Sequence, residues 1–260
     1  MYRFLLRPKW IAFHVLVVLL VVLMVNFGFW QLRRLDERKE FNESVRSRSS
    51  LPIADYLEVV PTGADPDDVE WRVISARGTY VAEEEVLVVN RSQGGVAGRN
   101  VVTPLRLDND SLLLVNRGFV PETVDVPLPP TGPVEIRGVV RSSEERRTGQ
   151  LTEASDGECV EFQRLDIDRI APQMPGAVEP VTIDLRQSDP PPGDVLAPVP
   201  DPELDEGPHL SYAVQWFIFS LCAIVGWFFA VRRSALTASG RRAPTRSPVP
   251  VDDERTTAVG

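Results

Sequence analysis

The sequence predicts a membrane protein in which two transmembrane helices flank a β-rich extracytoplasmic domain of α+β, antiparallel barrel- or sandwich-like type. Two apolar runs, at 10–30 and 209–231, are each roughly 21 residues long, enough for a helix to cross the hydrocarbon core. Between them lie short runs of Val, Leu, Ile and aromatics, divided by Gly-, Pro- and Asp-rich turns. The net charge of −9 is unevenly distributed: about +3 on 1–9, about −15 on 10–231 and about +3 on 232–260, which by the positive-inside tendency favours cytoplasmic termini.

Residues 1–9 form the cytoplasmic arm, with Arg3, Arg7 and Lys9. The span 10–30 is bracketed by Trp10 and Trp30, as interfacial anchors are. It is too long for the apolar core of a signal peptide, and "NFGFWQLRR" lacks a small-x-small cleavage pattern, so a retained anchor in a bacterial cell (inner) membrane is expected. Arg33, Arg34, Arg38 and Lys39 follow this span directly and run against the charge rule.

Residues 31–208 are expected outside the cytoplasm. "QLRRLDERKEFNESVRSR" has a sparse apolar stripe (Leu32, Leu35, Phe41) and predicts a helical stalk. "LPIADYLEVV" predicts a short helix or turn and "PTGADPDDVEW" a loop. Strands are predicted for "WRVISARGTY", "EEVLVVNRS", "NVVTPLRL", "SLLLVNRGFV" and "VEIRGVVRSS", with "QGGVAG" and "DND" as hairpin turns. "FQRLDIDRIAPQM" predicts one short helix and "VEPVTIDLRQ" a last strand. From Ser188 to Pro208 the chain is Pro- and acid-rich and short of core residues, an extended connector. The second helix, 209–231, holds Trp216 and Trp227, and 232–260 reads as a disordered cytoplasmic tail.

Composition excludes several chemistries. Cys159 lies in the soluble segment and Cys222 in a span, so no disulfide is expected; at about 175 residues the domain is long enough to rely on an ordinary core. The acidic balance argues against nucleic-acid binding. Both histidines, His14 and His209, belong to the spans, which removes Ser-His-Asp and Cys-His catalysis from the soluble domain. Its one cysteine cannot build a structural zinc site. "SQGGVAG" lies between strands rather than before a helix, and "DNDS" lacks the rest of a calcium loop. A hydrolase using two carboxylates stays open as an alternative.

The membrane edge is chemically richer. On a helical wheel Trp216, Ser220 and Trp227 fall close to His209, with Tyr212 and Ala213 nearby. On the first helix Asn26, Trp30, Arg33 and Arg34 share a face. Should these faces meet, imidazole, indoles and guanidiniums suit a haem, with imidazole on iron and arginine on propionate. The same residues equally suit plain amphipathic anchors. His14 lies roughly 24 Å deeper, at 1.5 Å per residue, and cannot share an iron with His209; it is expected to pack or hydrogen-bond between helices.

Four segments together resemble the SURF1 family of cytochrome c oxidase assembly factors. "FGFWQLRRLDERKEFN" is similar to a Gly-x-Trp-Gln-x-x-Arg signature at Gly28, Trp30, Gln31 and Arg34, and "RGTYVAEEEVLVVNRSQGGVAGRNVVTPLRL" to a strand-and-turn block. "LLVNRGFVP" resembles an Asn-Arg-Gly-Trp-Val-Pro motif at Asn116, Arg117, Gly118, Val120 and Pro121, with Phe119 for the usual Trp. "HLSYAVQWF" matches a closing motif at His209, Tyr212, Ala213, Trp216 and Phe217, although Gly207-Pro208 stands where the family often has Asn-Asn. The resemblance implies a non-enzymatic assembly factor for haem-copper (aa3-type) oxidase that helps deliver haem a to the catalytic subunit. His209 is then the iron (metal) ligand, with Trp216, Tyr212, Arg33, Arg34 and Trp30 completing a transient site. The implied partners are oxidase subunit I, haem A synthase, the wider respiratory supercomplex and the lipid bilayer, with no nucleic acid. A haem-free scaffold or accessory subunit that stays on the oxidase fits the same residues.

Overall fold

A computed structural model describes residues 6–61, 63–146, 148–150 and 159–240. The chain divides into two compact units, Met1–Lys39 with Glu206–Gly260, and Glu40–Asp205. Helix α1 (Pro8–Ser49) carries the first span into the predicted stalk without a break. Strand β1 (Ala54–Asp55) leads into a single helical turn, α2 (Tyr56–Val59), capped by the Asp55 carboxylate on the Leu57 N–H. The predicted loop "PTGADPDDVEW" contains a further turn, α3 (Pro66–Val69), because Asp65 caps it and Pro66 suits its first position.

Strands β2 (Val73–Tyr80), β3 (Val86–Gln93), β4 (Val96–Leu107), β5 (Leu112–Pro121) and β6 (Pro133–Arg141) fall on the five predicted runs. β4 starts at Val96, earlier than "NVVTPLRL" suggests, because the β3–β4 turn needs only Gly94 and Gly95, at φ 60° and 79°. The single helix expected in "FQRLDIDRIAPQM" is instead strand β7 (Glu161–Phe162), helix α4 (Ile167–Ile170) and a 3₁₀ turn (Ala171–Gln173). Pairing with Val88 draws Phe162 into the sheet, Asp166 starts the helix, and Pro172 cannot donate to continue it. Strand β8 (Val178–Asp189) is the last along the chain, and α5 (His209–Gly240) continues past 231. The remainder of the predicted tail, 241–260, lies outside the described residues.

The sheet is mixed rather than antiparallel, with order β1-β2-β6-β8-β5-β4-β3-β7 and parallel pairs β1–β2, β3–β7 and β5–β8. A further β2–β4 pairing returns the hydrogen-bonding circuit β2–β6–β8–β5–β4 to its start. Hairpin logic sees only sequence neighbours, whereas β6, β7 and α4 lie between β5 and β8 in the chain. Alternate residues of β8 (Val181, Ile183, Leu185) join Ile74, Leu105, Leu113, Val115 and Ile136 in the main core. A second cluster gathers Val86, Val88, Leu114, Phe162 and Ile170. No disulfide joins Cys159 and Cys222.

The connector after β8 does contribute to a core. Leu196 is buried with Val101 and Val120, and Ala197 pairs with Phe119 through reciprocal backbone hydrogen bonds of 2.7 and 2.9 Å. The side chains of Gln93 and Arg186 hold this strap further along, donating to the carbonyls of Pro198 and Val199 respectively.

The helices Pro8–Ser49 and His209–Thr237 are each long and apolar enough to cross a membrane, with only 11% and 6% of the apolar window buried. Such exposure does not suit the core helix of a soluble protein. Where α1 and α5 meet, the less exposed positions alternate by three and four residues, as in coiled-coil seams: Met24, Gly28, Gln31 and Leu35 on α1; His209, Ala213, Trp216 and Ser220 on α5.

Candidate functional site

His209 is the first residue of α5, one step after Pro208, whose carbonyl accepts from the Tyr212 N–H at 3.1 Å. Its Nδ1 lies 2.9 Å from Oε1 of Gln31 on α1. An amide oxygen only accepts, so in the neutral tautomer that suits this contact Nδ1 is the donor and the lone pair is on Nε2. Gly207 lies beside that free edge, in the left-handed region at φ 64°, and a Cβ there would stand 3.4 Å from Nε2. The glycine both makes the turn into α5 and leaves Nε2 uncrowded.

The face of α1 that meets α5 is not the one bearing Asn26, Trp30, Arg33 and Arg34. Gly28 decides this: a Cβ at that position would lie 2.8 Å from the Phe217 ring, so the bare backbone seats the ring. Phe27 stacks on Trp216 at 5.0 Å and Phe29 meets the Phe217 edge at 5.5 Å. Trp30 and Tyr212 are each 47% exposed, Arg33 and Arg34 are exposed, and Arg34 pairs with Glu37 on its own helix. The Asn26 amide donates to the Val22 carbonyl within α1. Trp216 lies about 10 Å along the axis from His209, two turns away by helical rise, and shares its face.

Gln31 is the residue that side-chain chemistry alone passed over, since it appears only within the quoted signature. Its three-residue step from Gly28 and four-residue step to Leu35 were the available signal. At the other end of the helix pair, the Trp227 indole donates to His14 Nδ1 at 2.8 Å, with Trp10 and Phe13 around the ring. His14 therefore packs and hydrogen-bonds between helices, as expected.

In the unit Glu40–Asp205, the Asn-Arg-Gly stretch is structural. The Arg117 side chain is completely buried; Nη1 donates to Glu85 Oε2 at 2.8 Å and the Pro127 carbonyl at 3.1 Å, and Nη2 to the Leu128 carbonyl at 3.2 Å. Its guanidinium also lies near the Tyr80 ring, whose hydroxyl burial pushes up to about 12 against the opposing Arg117 charge. Asn116 donates to Asp184 Oδ1 at 2.8 Å and accepts from the Gly118 N–H at 3.3 Å. Among the described residues, no cluster of His, Cys, Asp and Glu could hold a metal ion.

Burial raises the Asp184 carboxyl above its ordinary 3.8, against the opposing Arg141 and Arg186 charges and the Asn116 amide. The proton is held more tightly in the folded state, so this group favours folding below its unfolded pKa and loses that contribution as pH rises through the folded value. Asp184→Asn keeps an acceptor for Asn116 and cannot ionise. Its melting temperature relative to the parent is expected to rise as the pH is raised above the ordinary carboxylate value of 3.8. A constant difference across that range would refute the assignment.

The sequence matches the SURF1 family pattern over residues 18–221. An uncharacterized SURF1-like protein of Mycobacterium bovis is 28% identical over 258 residues, covering 95% of this chain and 92% of its own length. A SURF1-like protein of Monosiga brevicollis is 30% identical over 245 residues, covering 87% and 90%. One from Rickettsia bellii is 25% identical over 243 residues, covering 91% and 96%.

Proposed function

The chain belongs to the SURF1 family, and from that premise we propose that it assists haem a delivery or insertion into the catalytic subunit of an aa3-type cytochrome c oxidase, using His209 as a transient iron ligand. Family membership itself implies a role in cytochrome c oxidase assembly. The observation supporting the finer reading is the Gln31–His209 contact, which orients the ring through Nδ1 and sets the Nε2 edge beside a glycine. The fit is partial: a neutral imidazole suits iron and Trp216 offers aromatic surface on the His209 face of α5, whereas Trp30, Arg33 and Arg34 stand on an α1 face that does not meet α5, and Tyr212 is exposed. On this reading haem a is cargo whose redox chemistry belongs to the oxidase, and this chain's residues would bind and orient it. A delivery site releases its cargo, so affinity is moderate.

On this reading the protein is no enzyme. It sits in the bacterial inner membrane with both termini cytoplasmic and the β unit outside, near oxidase subunit I, haem A synthase and the wider respiratory supercomplex. A haem-free scaffold is the second reading, favoured by the resemblance between the Gln31–His209 contact and the His14–Trp227 clamp.

The protein is to be co-expressed with the haem A pathway, purified, and its absorption spectrum recorded. Bound haem is expected in the parent and none in His209→Ala, while Gln31→Leu weakens retention about tenfold or more, as loss of an outer-shell partner does. A haem-free parent would sink the carrier reading and leave the scaffold. Equal haem in the parent and His209→Ala would place the ligand elsewhere.

A further inference from the structure

Strand β8 runs Val-Thr-Ile-Asp-Leu-Arg over 181–186, an alternation normally divided between a core face and a wet face. Here the polar face is also buried: Thr182 is 0% and Asp184 8% exposed. Thr182, Asp184 and Arg186 line a cavity of about 430 Å³ within the unit Glu40–Asp205. That volume is within the range of small-molecule sites.

Backbone irregularities place several of its walls. Trp71 is held at φ 71°, a costly conformation for a bulky residue. It sets the indole against Arg141, whose guanidinium carbon lies 3.6 Å from the ring centroid. Asn90, at φ 58°, sits where the β3–β4 register shifts between Val88 and Arg91, and such bulges redirect side chains. Gly118, at φ 136°, precedes Phe119, whose ring lies over Gly98.

The cavity's polar chemistry has a direction. Arg91 Nε and Thr182 Oγ1 are buried and have no hydrogen-bond partner, and both are able to donate. Arg91, Arg141 and Arg186 are held in place by Glu144, Glu70 and Asp201. Burial disfavours the charged form of Asp184, which lessens its repulsion of an anion. The lining thus carries three guanidiniums against the Glu144 and Asp184 carboxylates.

We propose that this cavity binds a small organic carboxylate with a flat apolar body, its oxygens accepting from Arg91 and Thr182 and its body against Trp71 and Phe119. The lining includes no histidine, so the site is independent of the haem reading.

The test uses the full chain in lipid nanodiscs, with empty nanodiscs as blank, and calorimetric titration of 2-naphthoate and of 2-naphthylmethylammonium. One saturable carboxylate site per chain and no cation binding are expected. Arg91→Gln and Thr182→Val should each weaken 2-naphthoate about tenfold, the loss of a charge-assisted hydrogen bond. Absent saturable binding, equal binding of the cation, or unchanged binding in variants with parental unfolding curves would overturn the proposal. If Arg91→Gln does not fold, the near-isosteric Thr182→Val decides. His209→Ala is expected to bind 2-naphthoate as the parent does; loss of binding there would overturn the site's independence.

Discussion

Replacing Arg117 by methionine is expected to destabilise the unit Glu40–Asp205 by about 3–5 kcal/mol, the cost of removing one partner of a buried ion pair. The methionine fills much of the space but leaves Glu85, whose side chain is 17% exposed, with Thr103 as its donor among the described residues. It also strips donors from the carbonyls of Pro127 and Leu128, so the β5–β6 segment loses its tie to the sheet. Arg117→Lys keeps the charge but lacks the planar fork that serves three acceptors at once, and should fall between the two. Adding Glu85→Gln to the methionine variant is expected to recover part of the loss, since it removes the stranded charge. Urea unfolding of the full chain, followed by hydrogen exchange in β4 and β5, checks the series. A methionine variant as stable as the parent would show that the motif's arginine is not structural.

Gly118→Ala should be nearly as damaging, at about 3 kcal/mol, combining left-handed strain with overpacking. The residue sits at φ 136°, and its new Cβ would lie 2.6 Å from the Ala197 carbonyl oxygen. That obstacle is backbone, so relief requires the strap to move. The paired Phe119–Ala197 hydrogen bonds would break and Leu196 would leave Val101 and Val120. Amide exchange at Phe119 and Ala197 is expected to speed up far more than exchange in β2. Unchanged protection there would mean that the strap tolerates the displacement.

Both predictions rest on one short motif whose residue identities are plain in the sequence and whose work is not. "NRG" reads as surface-compatible polar residues after an apolar strand. Only the packed sheet makes Arg117 a buried staple, Asn116 a partner of Asp184, and Gly118 the place where a distant strap approaches. The same limit applied to β8. Its alternation located the strand correctly, but period two cannot say whether the polar face meets water or a second layer. Parallel pairing of β5 with β8 was equally invisible, because local turn chemistry constrains only hairpins.

Residue patterns were enough to locate two apolar helices, six longer strands, two hairpin turns and the family motifs, since propensity and period are properties of local chain geometry. They were also enough to single out His209 as the one titratable group at the start of the second span. Tertiary structure decided the rotation of α1. Helical spacing enumerates the faces without choosing among them, and the seat of Phe217 on Gly28 turns Gln31, rather than Trp30 or the arginines, toward the imidazole. Contacts between residues nearly 180 positions apart depend on which surfaces pack best, and packing is a property of both helices together.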